Sequence, residues 1–274
     1  MARGILWQEI LTAALPSLFH IREEIVSLVR HHSLPVNFLR RDSYKRDFFA
    51  ASLFARLELL AMLAEADIKG RISSDRDDSL EKVELFRIQA EELDCYRYPK
   101  QFPSDHTRVR YFQKPDEVSP NVEYYDNTEF EVVMLAGLPG TGKDTYIQKH
   151  LPDLPMISLD AIRRKESVKP TDNQGEITNQ AKELARRHLR QKQPFVWNAT
   201  NITRMLRANL LQLFYDYHAR VRLIYLESSW QELLRRNRAR NLSDQLPENV
   251  LTRLADKLEV PDLQESHAVE YVIH

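Results

Sequence analysis

Residues 130–145 read Phe130-Glu131-Val132-Val133-Met134-Leu135-Ala136-Gly137-Leu138-Pro139-Gly140-Thr141-Gly142-Lys143-Asp144-Thr145. An apolar run of strand composition feeds directly into the pattern G-x-x-x-x-G-K, and a helical stretch follows. Only six glycines occur in the whole chain, yet Gly137, Gly140 and Gly142 fall within this one loop. Glycine is selected where the backbone takes positive φ or a ligand approaches the main chain closely. Successive backbone N–H groups of such a loop can curl around phosphates, the helix N-terminus adds partial positive charge, and Lys143 reaches the outer phosphates. The ordinary alternative is a structural glycine turn. The strand before and the helix after favour the phosphate reading, with ATP or another NTP as ligand and Mg²⁺ as its companion. Gly137, Leu138, Pro139, Gly140, Thr141, Gly142, Lys143, Asp144 and Thr145 are thus the expected nucleotide-binding residues.

One position departs from the pattern. A Ser or Thr hydroxyl after the lysine ordinarily ligates Mg²⁺, and Asp144 stands there instead. A carboxylate can bind the metal directly or through water, but it adds negative charge beside phosphates. Thr145 does not simply replace the hydroxyl, because one residue along a helix rotates a side chain by about 100°. Asp144 is either an unusual Mg²⁺ ligand or a mark of altered catalysis.

Around this loop the second half of the chain alternates. Strand-like runs at Phe130–Ala136, Met156–Leu159, Phe195–Trp197, Val221–Leu226 and Ala268–Ile273 are separated by helical stretches such as Glu176–Arg190 and Thr203–Tyr217, a pattern that predicts a parallel sheet covered by helices on both faces. The expected fold is an α/β P-loop NTPase over residues 129–274, preceded by a small all-α unit over 1–98 and an extended linker over 99–128. Helical periodicity runs from Trp7 to about Leu93, and Phe49, Leu53, Leu57, Leu60 and Ala64 recur as one face. Ser73 to Ser79 reads as a loop ending in a helix N-cap at Asp78 or Ser79. Between Pro99 and Thr128, prolines and aromatics such as Tyr111, Phe112, Tyr124 and Tyr125 suit a connector docked against one domain.

Composition narrows the class. The chain has 274 residues, 43% hydrophobic and 29% charged, with a formal net charge of −1; this excludes disorder, collagen and a membrane bundle, and leaves nucleic-acid affinity to a local basic patch. Cys95 is the single cysteine, so no intramolecular disulfide forms and a reducing compartment, the cytoplasm, is expected. No apolar run approaches the ~20 residues of a membrane span. Glu9, Glu23 and Glu24 stand where a signal peptide would be apolar, so neither membrane nor secretion is expected.

Other candidates lie at the expected strand ends. Asp160, in Ser158-Leu159-Asp160-Ala161-Ile162-Arg163, follows the second strand on the ligand-binding rim of a parallel sheet and can act as general base, while Arg163, one helical turn on, can hold an acceptor phosphate. An Asp N-cap beside a surface arginine is the plain alternative. Asn198, Thr200 and Asn201, after the third strand, can orient acceptor, phosphate or metal-bound water, or can cap the next helix. Arg235, Arg236, Arg238 and Arg240 follow the fourth strand, where an arginine lid over the phosphates belongs. Alone they would read as a solvated face. Arg163, Arg164, Lys165, Arg204 and Arg207 supply a basic grip for an acceptor.

In this order the stretches GLPGTGKDT, SLDAIR, WNATN and LRRNRAR resemble the P-loop kinase domain of polynucleotide kinases, most closely end-healing kinases fused to an N-terminal HD-type phosphohydrolase domain. The resemblance covers roughly Glu129 to the C-terminus, and more loosely the helical half. It implies ATP-dependent phosphorylation of 5′-hydroxyl RNA or DNA ends in nucleic-acid repair, with Lys143 on the phosphates, Asp160 as base, Arg163 on the acceptor's 3′-phosphate and Arg236 and Arg240 as lid arginines. It further implies end-healing or ligase partners. Related kinases carry an aspartate just before the T-N pair, and here that position is Ala199. In the helical half, LVRHHSLP and AEADIKGR resemble the C-terminal part of an HD domain, without a His-Asp dipeptide; His31, His32 and Asp67 are at best partial ligands. Two alternatives stand beside this reading: a P-loop kinase of a small metabolite, and a nucleotide-binding interaction module of weak catalysis.

Overall fold

The structure, a computed structural model, describes residues 19–166, 175–241 and 245–274. The chain forms two compact units that divide between Tyr124 and Tyr125. The part of the helical expectation that falls on residues 7–18 lies outside the described residues.

The helical unit contains α1 (Phe19–His31), α2 (Leu34–Asn37), α3 (Tyr44–Ser52), α4 (Leu57–Lys69), α5 (Arg76–Glu92) and α6 (Asp105–Gln113). Its core is aromatic: Phe48 packs with its ring centroid 4.5 Å from that of Phe86 and 5.3 Å from that of Phe38. The face expected to run continuously from Phe49 to Ala64 is broken between α3 and α4. The Ser52 hydroxyl donates to the Phe49 carbonyl and accepts from the Lys100 amide, a local side-chain bond that competes with helix continuation. Phe49, Leu57, Leu60 and Ala64 still reach one core. The helix expected to start at Asp78 or Ser79 starts at Arg76, with Asp77 and Asp78 in its first turn, where carboxylates suit the positive end of the helix dipole. The stretch 99–128 is not wholly an extended linker: it holds α6, capped by the Ser104 hydroxyl accepting from Thr107 N, and Tyr111, Phe112 and Val118 are buried in the helical core.

The sheet unit has β1 (Phe130–Ala136), α7 (Lys143–His150), β2 (Met156–Ser158), α8 (Leu159–Lys165), α9 (Gly175–Arg190), β3 (Phe195–Asn198), α10 (Arg204–Tyr215), β4 (Ala219–Glu227), α11 (Trp230–Arg238), α12 (Glu248–Asp256) and β5 (Ala268–Ile273). The five strands pair in parallel in the order β2-β3-β1-β4-β5. Both faces of the central strand are buried. Val132 and Met134 join Ala181, Ala185 and Phe214 of α9 and α10 on one side, and Val133 and Leu135 join Ile147 of α7 on the other. That double burial explains why the strands read as unbroken apolar runs. In register, Leu135 stands beside Asn198 and Asn198 beside Ser158, so the turns after β1, β2 and β3 leave the same edge of the sheet. Among the described residues no helix is long and apolar enough to cross a membrane.

Arg207 of α10 is fully buried. Its Nε and Nη2 donate to the Glu265 carboxylate at 2.7 and 2.8 Å, and its Nη1 to the carbonyls of Asn201 and Glu259 at 2.9 and 2.8 Å. This arginine ties the 259–265 segment to the turn after β3. Removing one member of a buried pair leaves an uncompensated charge, so Arg207→Ala is expected to lower unfolding stability by about 3–5 kcal/mol. Arg207→Lys should recover only part of that, because an ammonium lacks the bidentate fork. Urea denaturation checks both, and an unchanged midpoint in Arg207→Ala would contradict this account of the tie.

Candidate active site

The loop between β1 and α7 turns through three glycines of positive φ. Two are constrained by their surroundings as well. A Cβ on Gly137 would meet the Leu226 carbonyl oxygen at 2.3 Å, and one on Gly142 would meet Arg236 Nη1 at 3.3 Å. The loop holds its own shape: the Thr141 hydroxyl donates to the Leu138 carbonyl at 2.9 Å, and Gly137 N donates to the Thr200 carbonyl at 2.9 Å.

Lys143 folds back over this loop. Its Nζ donates to the carbonyls of Gly137 and Leu138 at 2.9 and 2.8 Å. Burial pushes its pKa down to about 7; Asp144 opposes the shift and the charge of Arg240 adds to it. Two of the four arginines after β4 are therefore at the loop. Arg236 Nη1 donates to the Gly140 carbonyl at 3.1 Å, and Arg240 lies close enough for its charge to act on Lys143. Arg235 instead pairs with Glu232, and Arg238 is exposed.

Glu232 was not singled out in the sequence, yet it orients the lid arginine. It accepts from Arg236 Nε at 2.6 Å, and its bonds from Arg235 and then Arg236 hold its pKa down at about 2. Its signal was present: a carboxylate four residues before Arg236 on one helix face. Ser228, which accepts from Arg236 Nη1 at 3.4 Å, carried no such signal.

Asp144 is exposed in the first turn of α7, and its Oδ1 accepts from the buried amide of Asn198 at 2.6 Å. Oxygen donors of this kind suit Mg²⁺. Asp144 makes no other hydrogen bond among the described residues, so its second oxygen fits a cation; Thr145, one position on, is also exposed.

Asp160 and Arg163 are brought together as an ion pair on α8. The cap of that helix is Ser158, whose hydroxyl accepts from Ala161 N at 3.2 Å, which removes the N-cap reading of Asp160.

Three expected acceptor residues have structural partners, Thr200 through its backbone alone. Asn201 is buried at φ 45°, and its amide donates to the Leu135 carbonyl at 2.6 Å, closing the end of β1. Thr200 braces Gly137 through its backbone. Arg204 is ion-paired with Asp262 and Glu265, and its backbone N–H donates to Glu259. The HD-like residues do not converge either: His31 Nδ1 lies 2.9 Å from the Ser27 carbonyl, His32 Nδ1 2.8 Å from that of Val29, and Asp67 pairs with Arg71. Among the described residues no group of three or more His, Cys, Asp or Glu side chains could hold a metal. Cys95 is buried, and burial pushes its thiol up to about 12, an unreactive state.

Residues 132–261 match the AAA domain family. The match covers just under half of the chain, from within β1 to beyond α12. Three solved structures are similar over about half of the chain. A "putative kinase" from Chloroflexus aurantiacus is 17% identical, with 53% of this chain and 86% of that chain covered and a TM-score of 0.45. A sugar kinase from Janibacter sp. is 15% identical, with 53% and 86% covered and a TM-score of 0.41. A gluconokinase from Sinorhizobium meliloti is 18% identical, with 52% and 82% covered and a TM-score of 0.38.

The parallel sheet with its glycine loop between β1 and α7 is a P-loop fold, and the expectation of a polynucleotide 5′-hydroxyl kinase is corrected: the similar structures are named as a putative kinase, a sugar kinase and a gluconokinase. Two of the five residues of the basic grip on which that reading leaned are spent internally, since Arg207 is buried on Glu265 and Arg204 is held by Asp262.

Two outcomes follow from the loop. Gly137→Ala should abolish nucleotide binding, measured by calorimetry, because the added methyl group collides with main chain rather than with a mobile side chain. Phosphates favour protonated Lys143, so binding should raise its depressed pKa and take up a proton. Affinity should hold below pH 7 and fall above it by up to about tenfold per unit. Calorimetry in buffers of different ionisation enthalpy checks this, and absence of proton uptake at pH 8 would contradict it.

Proposed function

We propose that the sheet unit is an ATP-dependent phosphotransferase whose acceptor is the hydroxyl group of a small metabolite. The observation that carries the reading is the convergence of Lys143 and Arg236 on one glycine loop, with the Asp160 helix leaving the same sheet edge. Phosphoryl transfer needs positioning and charge neutralisation more than covalent participation by the protein. Here the backbone N–H groups of the loop receive the β- and γ-phosphates and Lys143 leaves its carbonyls for them. Arg236 and Arg240 offset charge on the transferring group. Asp160 takes the acceptor's hydroxyl proton as the acceptor oxygen bonds to γ-phosphorus and the bond to ADP breaks. Arg163, its ion-pair partner, orients Asp160 toward the acceptor. Mg²⁺, bound with the nucleotide beside Asp144, would neutralise the phosphates. The internal pairing of Arg204 and Arg207 supports a small acceptor over a long anionic one, because it removes two cations from any backbone-tracking groove.

The test is ADP formation from ATP and Mg²⁺ against a panel of sugars, polyols and nucleosides, with a 5′-hydroxyl oligonucleotide alongside. A small acceptor should stimulate turnover. Lys143→Ala should abolish it, and Asp160→Asn should lower it by about 10²-fold or more while leaving ATP affinity nearly unchanged. Transfer to the oligonucleotide alone would overturn the substrate class. ATP binding without transfer to any acceptor would overturn the activity.

A further inference from the structure

Resting on the nucleotide-binding reading above, we infer that Asp144, locked by Asn198, makes binding at this loop obligatorily dependent on a divalent cation. The carboxylate occupies the first turn of α7, directly after Lys143. Its charge therefore competes for the same helix N-terminus that attracts phosphate, and repels a di- or triphosphate seated there. A freely rotating aspartate would turn away and relieve much of that repulsion. This one cannot do so cheaply, because Asn198, itself only 5% exposed, donates to Oδ1 at 2.6 Å and would be left with only a weak contact to the Met156 sulfur at 3.6 Å. The second oxygen is left to meet a cation, and a cation shared by carboxylate and phosphate converts the repulsion into attraction. A hydroxyl at this position imposes no such condition, since it does not repel the bare nucleotide. The loop thus discriminates metal-bound from metal-free nucleotide at the binding step, before any chemistry.

The test uses the full chain and ADP, so that no turnover intervenes. Dissociation constants are measured by calorimetry with Mg²⁺ and with EDTA, and the ratio of the two is compared among wild type, Asp144→Asn and Asn198→Ser. The wild-type ratio should exceed that of Asp144→Asn by about tenfold or more, chiefly because the variant regains affinity in EDTA. Asn198→Ser should fall between them; a general loss of folding would weaken both arms and leave the ratio unmoved. Equal ratios in wild type and Asp144→Asn would overturn the inference while leaving the phosphotransferase reading intact. Absence of Lys143-dependent ADP binding even with Mg²⁺ would overturn both.

Discussion

The main chain leaving the central strand passes so close to its neighbour that a Cβ at Gly137 would lie 2.3 Å from the Leu226 carbonyl oxygen. That approach fixes where the glycine loop begins and forces it to turn over the end of β4. Gly137 is held from the other side by the Thr200 carbonyl, so the loop is wedged between the turn that follows β3 and the end of β4. Everything chemical in the sheet unit is referred to this wedge. Lys143 closes on the loop's carbonyls, and α11 approaches near enough for Arg236 to reach Gly140.

A second tier of polar contacts keeps the wedge in place. Asn201 adopts a left-handed conformation that asparagine tolerates, and spends its amide on the Leu135 carbonyl of β1. Its own carbonyl is taken by Arg207, whose other donors fix Glu265 and Glu259. The turn after β3 is thereby a structural keystone as much as a place for ligands. Asn198 alone among its polar residues reaches the loop's helix, through Asp144.

The sheet and its loop were legible because their determinants are local. Apolar runs mark strands buried on both faces, and clustered glycines mark positive φ. Lys143, Arg236 and Arg240 could be read from their spacing after strands β1 and β4. What could not be read were partners distant in sequence. Nothing in WNATN says that Asn201 turns inward or that the acid for Arg207 is Glu265, and those pairings separate a basic acceptor surface from an internal brace. The break between α3 and α4 was hidden for a similar reason, since it depends on Ser52 meeting Lys100. Resemblance of motifs led to a polynucleotide acceptor, whereas motif residues at the donor phosphates are insensitive to what the acceptor is.

The account centres on a loop that exchanges internal partners for nucleotide phosphates. A crystal structure with Mg²⁺ and a non-hydrolysable ATP analogue tests it most directly. The account predicts the phosphates on the backbone N–H groups of residues 140–143, with Lys143 Nζ moved from the Gly137 and Leu138 carbonyls onto them. A nucleotide seated elsewhere, or Lys143 still on its carbonyls beside bound phosphates, would contradict it.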